Sequence, residues 1–216
     1  MSKKNPIQPK VAPRNPVQAR GIQTREKLLS AGEKLFIQSG VHHILADDIA
    51  KEAGVSVGSY YSYFKDKRAL FLAVLERSSN AMLDRAMAYL SAIWKEEHPD
   101  VEQLLRATMN TLIESHRGFF PIFQEAMQMA VFDEEVRRGL AEADRETQTL
   151  FEDMLARVNP QLPQERVHAM AYVLYNACEG IIHSLLSNPQ EGIEQEQVVS
   201  EVTEMLTGYV LGGEER

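Results

Sequence analysis

The sequence has few of the features that mark secreted, membrane or disulfide-rich proteins. Cys178 is the one cysteine among 216 residues, so no intrachain disulfide can form, as is typical of the reducing cytosol. The longest apolar runs span only a few residues, too short for a membrane-spanning helix. The basic N-terminus lacks the apolar segment of a secretory signal. Together these absences predict a cytoplasmic protein that does not enter the membrane.

The sequence also lacks the motifs of catalysis, cofactor binding and metal binding. It contains no phosphate-binding loop, no paired acid motif and no nucleophile–base arrangement, so we predict no catalytic residue and no cofactor. Cys178 and His183 are five residues apart and should point to different faces of a helix. His42 and His43 are adjacent and diverge. Because no third ligand lies at metal spacing, we predict no metal site.

Charge is distributed unevenly along the chain. The net charge is −8, but residues 1–77 carry 13 Lys and Arg against 7 Asp and Glu, whereas residues 78–216 carry 10 against 24. This asymmetry favours a basic module that meets an anion, joined to an acidic body that does not. The alternative is that surface charges cluster by chance.

Helical periodicity dominates the chain after residue 20, which predicts an all-α fold of nine helices. Residues 1–20 hold four prolines, five basic residues and no acid, so they should form a flexible basic arm. That arm either follows DNA phosphates or is a solvated tail. We expect a helix-turn-helix domain over 21–66 and a second domain over 67–216, with Gly118 separating the fifth and sixth helices. The predicted helices span about 23–38, 47–53, 56–63, 66–98, 100–118, 119–130, 133–158, 163–186 and 193–211.

The stretch "DDIAKEAGVSVGSYYSYFKDK", residues 47–67, has the pattern of a helix-turn-helix. Ala50 is small enough for two helices to touch, and Gly54 can adopt the positive φ that the turn requires. Tyr60 and Phe64 should anchor the second helix, which leaves a small, polar outer face suited to a DNA major groove. A short amphipathic helix in an ordinary bundle is the alternative. The predicted DNA contacts are Ser56, Val57, Gly58, Ser59, Tyr61, Tyr63 and Lys67.

The same stretch, continued to residue 75, resembles the DNA-binding signature of tetracycline-repressor (TetR) family transcriptional regulators. Their pattern, IA…AGVS.G..Y.YF..K..L, is matched nearly throughout residues 49–70. The resemblance implies a nine-helix homodimer with a three-helix reading domain and an α-helical regulatory domain. It also implies contacts with operator DNA from the seven residues above. A buried effector pocket among helices four to eight and dimerisation through helices eight and nine are implied as well.

One part of the stretch departs from the family pattern. Many members carry Ser or Thr four or five residues before the isoleucine of helix two, where this chain has Leu45 and Ile44. Asp47 is an alternative cap, although its carboxylate would repel DNA, and His42 or His43 could replace the phosphate contact. The departure supports a second hypothesis, an all-α ligand-binding or protein-interaction module that no longer reads DNA.

Residues 100–190 are rich in methionine and aromatic residues, which suit pockets for apolar ligands. Each such residue taken alone is more often part of the core. His116 and Asn176 are polar groups on otherwise apolar faces, so they either orient a ligand or are satisfied core groups. The candidate effector-binding residues are Met109, Ile113, His116, Phe120, Phe123, Met127, Tyr172 and Asn176.

The leading hypothesis is therefore a homodimeric repressor that a small, largely apolar effector releases from a pseudo-palindromic DNA operator. Small residues on helix eight and apolar residues on helix nine are expected to form a two-fold interface. They are Ala171, Ala177, Cys178, Gly180, Val198, Val202, Met205, Leu206 and Tyr209.

Overall fold

The computed structural model describes residues 19–93, 100–188 and 191–212, and within these ranges the regular structure is entirely helical. The all-α prediction is confirmed, but the described residues form eight helices where nine were expected. The helices are α1 (Ala19–Ser39), α2 (Ala46–Glu52), α3 (Val57–Tyr63), α4 (Lys67–Ile93), α5 (Val101–Ala130), α6 (Glu134–Val158), α7 (Gln164–Ser187) and α8 (Gln195–Leu211). None of these helices is long and apolar enough to cross a membrane.

The difference in helix number arises in α5, which continues through Gly118 and Pro121. The expectation that Gly118 ends a helix is wrong. A proline inside a helix removes one backbone hydrogen bond and costs about 3 kcal/mol. Phe119, Phe120 and Ile122 flank it and are all buried, and burying each such side chain contributes about 1.5–3 kcal/mol. Packing around the proline therefore outweighs the local signal to stop.

The chain divides into two compact units, and the division follows Glu76. The expected boundary lay ten residues earlier, at the start of α4. The first turns of α4 bury Leu70, Phe71 and Val74 completely, which accounts for their place in the N-terminal unit. Of the predicted basic arm, only Ala19 and Arg20 are described, and both lie in α1.

The core of the N-terminal unit is aromatic and aliphatic. The rings of Phe36 and Phe71 meet edge to face with centroids 5.8 Å apart, a favoured geometry for aromatic pairs. A Cβ built at Gly32 would lie 2.7 Å from Leu70 Cδ2, so an alanine here would force the buried Leu70 side chain to move. Ala50, expected at the contact between helices, is buried.

Two glycines end the helices that precede the recognition segment. Gly40 has φ 71° after α1 and Gly54 has φ 67° after α2, and this left-handed region is costly for residues that carry a Cβ. The predicted role of Gly54 in the turn is confirmed. The Val55 N–H donates to the Ala50 carbonyl at 2.9 Å, which closes the turn between α2 and α3.

The C-terminal unit is built around α5, which packs against α6, α7 and α8. The side chains of Asp100 and Asp133 accept backbone N–H bonds and cap the N-termini of α5 and α6, as expected for aspartate in that position. The buried face of α7 repeats at helical spacing and includes Ala171, Leu174 and Cys178. This packing fixes the register in which side chains of α5 face those of α7.

Candidate DNA-reading surface and ligand site

The recognition segment, which we define as Ser56–Lys67, begins with a capped short helix. The Ser56 Oγ accepts a hydrogen bond from the Ser59 N–H at 3.1 Å and lies 2.9 Å from the Ser59 Oγ. The Ser62 hydroxyl donates to the Gly58 carbonyl at 2.9 Å. These local bonds order α3, so the predicted capping role of Ser56 is confirmed.

The aromatic residues of the recognition segment divide between the core and the surface. Tyr60 and Phe64 are buried, whereas Tyr61 is 52% exposed and meets the Tyr60 ring edge to face at 5.2 Å. Tyr63 is half-buried. The Tyr60 hydroxyl is buried without a hydrogen-bond partner. Burial, reinforced by neighbouring Tyr61 and Asp66, raises the Tyr60 pKa well above its ordinary value.

The outer face of α3 is small and polar, as expected from the sequence. Ser56 and Gly58 are exposed, while Val57 and Ser59 are half-buried. A Cβ added at Gly58 would meet only the Ser56 Oγ, at 3.9 Å. The backbone at this point is therefore open to the close approach of another molecule.

Lys67 has a different set of partners from the one that the sequence suggested. Its ammonium donates to the carbonyls of Val41, His42 and Ile44 at 2.5, 3.2 and 2.8 Å. An ammonium has three N–H donors, so these carbonyls occupy all of them. In this structure Lys67 holds the turn that leads into α2, rather than presenting a free charge.

The start of α2 shows how the chain manages without the usual Ser or Thr. Leu45 occupies the N-cap position, is 66% exposed and makes no side-chain cap. The Asp48 carboxylate accepts the Leu45 N–H at 2.9 Å, which is one half of a capping box. Asp47, the suggested alternative cap, has no such role. His42 and His43 are exposed on the preceding turn.

The candidate effector residues divide into an inner and an outer group. Met109, Ile113, His116 and Phe120 are buried and Phe123 is half-buried, all on α5. The other three are exposed: Met127, Tyr172 and Asn176.

For the α7 members, exposure follows from helical geometry. Tyr172 and Asn176 are one turn apart, on the side of α7 away from its buried residues Ala171, Leu174 and Cys178. The Asn176 amide donates to the Tyr172 carbonyl at 2.8 Å. Within a single chain, these two residues therefore do not join the α5 candidates in one pocket.

A polar cluster between α5 and α7 escaped sequence reasoning. The Glu179 carboxylate lies 3.1 Å from the His116 Nε2 and 3.2 Å from the His183 Nε2. Nearby, the Tyr175 hydroxyl donates to the Asp144 carboxylate at 2.6 Å. We call His116, Asp144, Tyr175, Glu179 and His183 the polar cluster. His116, Glu179 and His183 have ligand atoms within 4.8 Å of one another, so the expectation that no three ligands meet is wrong.

Electrostatics within the polar cluster favours an ionised Glu179. Burial alone would raise the pKa of this carboxyl, but the neighbouring imidazoles of His116 and His183 lower it to about 2. Burial lowers the pKa of His116, and the bond and charge of Glu179 more than offset this, so the net pKa is raised. Burial raises the pKa of Asp144 despite the hydrogen bond from Tyr175. The cluster is thus a charged centre inside the helical unit.

Aromatic rings border the polar cluster on one side. The His183 ring centroid lies 4.7 Å from that of Phe123 and 5.8 Å from that of Phe120. Few polar groups among apolar and aromatic side chains are typical of small-molecule sites. One sequence signal could have pointed here: Glu179 and His183 are four residues apart and share a helix face.

Comparison with known proteins agrees with the two-part architecture. Residues 28–74 match the model of bacterial regulatory proteins of the tetR family, and residues 100–209 match that of the tetracyclin repressor-like C-terminal domain. The HTH-type transcriptional regulator AcrR of Shigella flexneri is 26% identical over 196 residues, which cover 88% of this chain and 90% of AcrR. An HTH-type regulator of Staphylococcus aureus is 30% identical over 93 residues, which cover 43% of this chain and 48% of that protein.

Solved structures share the fold at low sequence identity. A TetR-family transcriptional regulator from Mesorhizobium loti superposes with a TM-score of 0.75 at 16% identity, covering 91% of this chain and 98% of that one. The fatty acid degradation regulator FadR from Bacillus halodurans gives a TM-score of 0.63 at 16% identity, covering 85% and 94%. The two family models match the recognition segment and more than half of the chain. They show that the protein belongs to the tetR family of helix-turn-helix transcriptional regulators.

Proposed function

We propose that the protein is a dimeric repressor that binds a two-fold symmetric DNA operator and leaves it when a small effector binds the C-terminal unit. The observation that carries this proposal is the recognition segment itself. The rings of Tyr60 and Phe64 are buried, while its small polar face is open. Since its target would be chromosomal DNA, we also propose that it acts in the cytoplasm.

Contact with DNA is proposed to use the exposed face of α3. Gly58 lets the backbone approach base edges, Val57 offers methyl groups to thymine, and the Tyr61 hydroxyl reaches a phosphate. Ser56, Ser59 and Tyr63 complete the contact set. Lys67 contributes by holding the turn before α2, and exposed Lys65 adds positive charge beside the helix.

Dimerisation is proposed to use the outer faces of α7 and α8. Four of the residues expected at this interface belong instead to the core of the single chain: Ala171, Cys178, Val202 and Leu206. These faces expose large apolar side chains, with 58% of Tyr172, 54% of Met205 and 41% of Tyr209 accessible in the single chain. Antiparallel packing of the two helices against their copies would bury them in a four-helix, two-fold interface. Such symmetry places two recognition helices about 34–36 Å apart, or a multiple of that, on the DNA.

The effector is proposed to bind beside the polar cluster, against Phe120 and Phe123. Met109, Ile113 and His116 line the same buried face of α5. A ligand releases DNA only to the extent that it binds the two conformations of the dimer unequally. Tyr172, Asn176 and Met127 are better assigned to exposed surfaces than to this site. Tyr172 is 58% accessible, Met127 is 50% accessible and Asn176 is also exposed.

The test is selection of random duplex DNA on the purified full chain, followed by sequencing and by affinity measurements at two salt concentrations. We expect a two-fold symmetric site whose binding weakens at higher salt. Tyr61→Ala should weaken binding at least tenfold. Thr149→Ala, which removes an exposed hydroxyl on α6, should leave it unchanged. Selection without an enriched motif would overturn the proposal in favour of a module that no longer reads DNA.

A further inference from the structure

Three side chains of the polar cluster bring metal-binding atoms together from two helices. His116 comes from α5, whereas Glu179 and His183 lie one turn apart on α7. The His116 side chain is 3% exposed, the Glu179 side chain 14% and the His183 side chain 31%. A site of this kind is held by tertiary packing rather than by a mobile loop.

The two ring nitrogens of His116 have different partners. Its Nδ1 lies 2.7 Å from the Leu112 carbonyl oxygen. A carbonyl only accepts hydrogen bonds, so Nδ1 must carry a hydrogen. In the neutral ring, the Nε2 lone pair then points at the Glu179 oxygen, 3.1 Å away. Two lone pairs at this distance repel, so either a proton on Nε2, which then donates to Glu179, or a metal ion must lie between the two atoms.

His183 faces the second oxygen of the same carboxylate. Its Nε2 is 3.2 Å from the Glu179 Oε2, yet it is buried and the pair is not aligned as a hydrogen bond. Buried polar atoms without partners are rare in native proteins and call for an explanation. A cation shared with Glu179 would satisfy this nitrogen as well as that of His116.

The spacing of the three groups fits a metal ion. With zinc–nitrogen and zinc–oxygen distances of about 2.0–2.1 Å, neighbouring ligand atoms of a tetrahedral site lie about 3.3 Å apart. The His116 Nε2 lies 3.1 Å from one Glu179 oxygen, and the His183 Nε2 lies 3.2 Å from the other, each close to that value. All three ligand atoms lie within 4.8 Å of one another, so small side-chain rotations would let them coordinate one ion.

We propose that His116, Glu179 and His183 bind a divalent transition-metal ion, with zinc as the representative of the class. Two imidazoles and one carboxylate suit zinc and its neighbours, whereas calcium and magnesium prefer all-oxygen sites. The Leu112 carbonyl, which accepts from the far nitrogen of His116, is the kind of outer partner that orients metal-bound histidine.

Three protein ligands leave one position of a tetrahedral ion for water or for an effector donor atom. Phe120 and Phe123, whose rings lie near His183, border the cluster. This consequence for the effector rests on the proposed repressor function, whereas metal binding itself does not.

The experiment is titration of chelator-treated full-length protein with zinc chloride in the absence of DNA, followed by calorimetry. Visible absorption of the Co²⁺ form reports the coordination number. We expect one ion per chain in a four-coordinate site. His183→Gln and Glu179→Gln should each weaken binding at least about 100-fold, more than the loss typical of outer-shell changes.

The matched control is His168→Gln. His168 also meets a carboxylate, with its Nδ1 2.6 Å from the Glu152 oxygen, but that side chain is 73% exposed and belongs to no described group of three ligands. This variant should bind zinc as the unchanged chain does. Circular dichroism confirms that each variant is folded. If Glu179→Gln does not fold, His183→Gln, at the more accessible position, carries the test.

The proposal is overturned if the unchanged protein binds no zinc, or if the His183 and His168 variants bind it equally well. Operator affinity is measured separately on the chelator-treated protein. If the unchanged protein binds its operator but no zinc, only the metal-site inference is rejected. Metal binding without an operator would reject the repressor function alone.

Discussion

Replacing Lys67 by methionine separates two roles that the residue could have. The substitution keeps an unbranched apolar stem and removes the ammonium, which leaves three carbonyl oxygens without their donor. The bonds to Val41 and Ile44 are part-buried, and the bond to His42 is exposed. Water can replace the exposed bond at little cost. An unsatisfied buried acceptor costs about 1–3 kcal/mol, so the two part-buried oxygens predict a loss of about 2–6 kcal/mol in the free energy of unfolding.

The assay is urea denaturation followed by circular dichroism, together with operator affinity as a function of salt. If Lys67 acts by holding the turn, the denaturation midpoint falls and the slope of log affinity against log salt stays the same. A residue that neutralises one phosphate would instead change this slope by about 0.9 with little effect on stability. Lys65→Met is the control, because Lys65 is exposed on the same connection and should not alter stability. An unchanged midpoint for Lys67→Met with a shallower salt slope would refute the structural role.

Three further outcomes are expected. Gly54→Ala should lower stability by about 1–2 kcal/mol because φ is 67°, whereas Gly58→Ala should leave stability intact and weaken operator binding at least tenfold; equal effects on urea midpoints would contradict this. Tyr60→Phe removes a buried hydroxyl without a partner and should raise stability by up to about 1 kcal/mol. The raised pKa of Tyr60 in the folded protein means that the tyrosine ionises first in the unfolded chain, which lowers stability above about pH 10. Tyr60→Phe should therefore reduce this loss of stability, as measured by urea denaturation across pH. Met205→Glu combined with Tyr209→Glu should convert a dimer to monomers in analytical ultracentrifugation, and an unchanged mass would reject the α7–α8 interface.

The DNA-reading half could be predicted from sequence because its information is local. The turn glycine Gly54, the small Ala50 and the Ser56 cap all lie within a few residues of the contacts they organise. Features of this kind can be recognised in the sequence without knowledge of the tertiary fold. What the sequence could not show was the partner of Lys67, since Val41 lies 26 residues away and the meeting depends on how α1 and α4 pack.

The C-terminal unit was predicted less completely because its features depend on packing between helices that are distant in sequence. The glycine and proline of α5 are stop signals by local rules, and burial of Phe119, Phe120 and Ile122 overrides them. The polar cluster joins α5, α6 and α7, whose register no single segment encodes. A search for pairs four residues apart finds Glu179 and His183, but it cannot find that His116 completes the set.

A contribution to stability does not by itself account for the polar cluster. Apolar side chains of similar volume often match or exceed a buried ion pair in stability, and Met109, Ile113 and Ile182 already supply an apolar core to these helices. Yet most of its polar atoms have partners, with Tyr175 bonded to Asp144 and both histidines beside Glu179. A ligand that enters must exchange these bonds for its own. If the proposed effector binds here, this exchange would alter how α5 packs against α7 and would supply the unequal binding to two conformations that release from DNA requires.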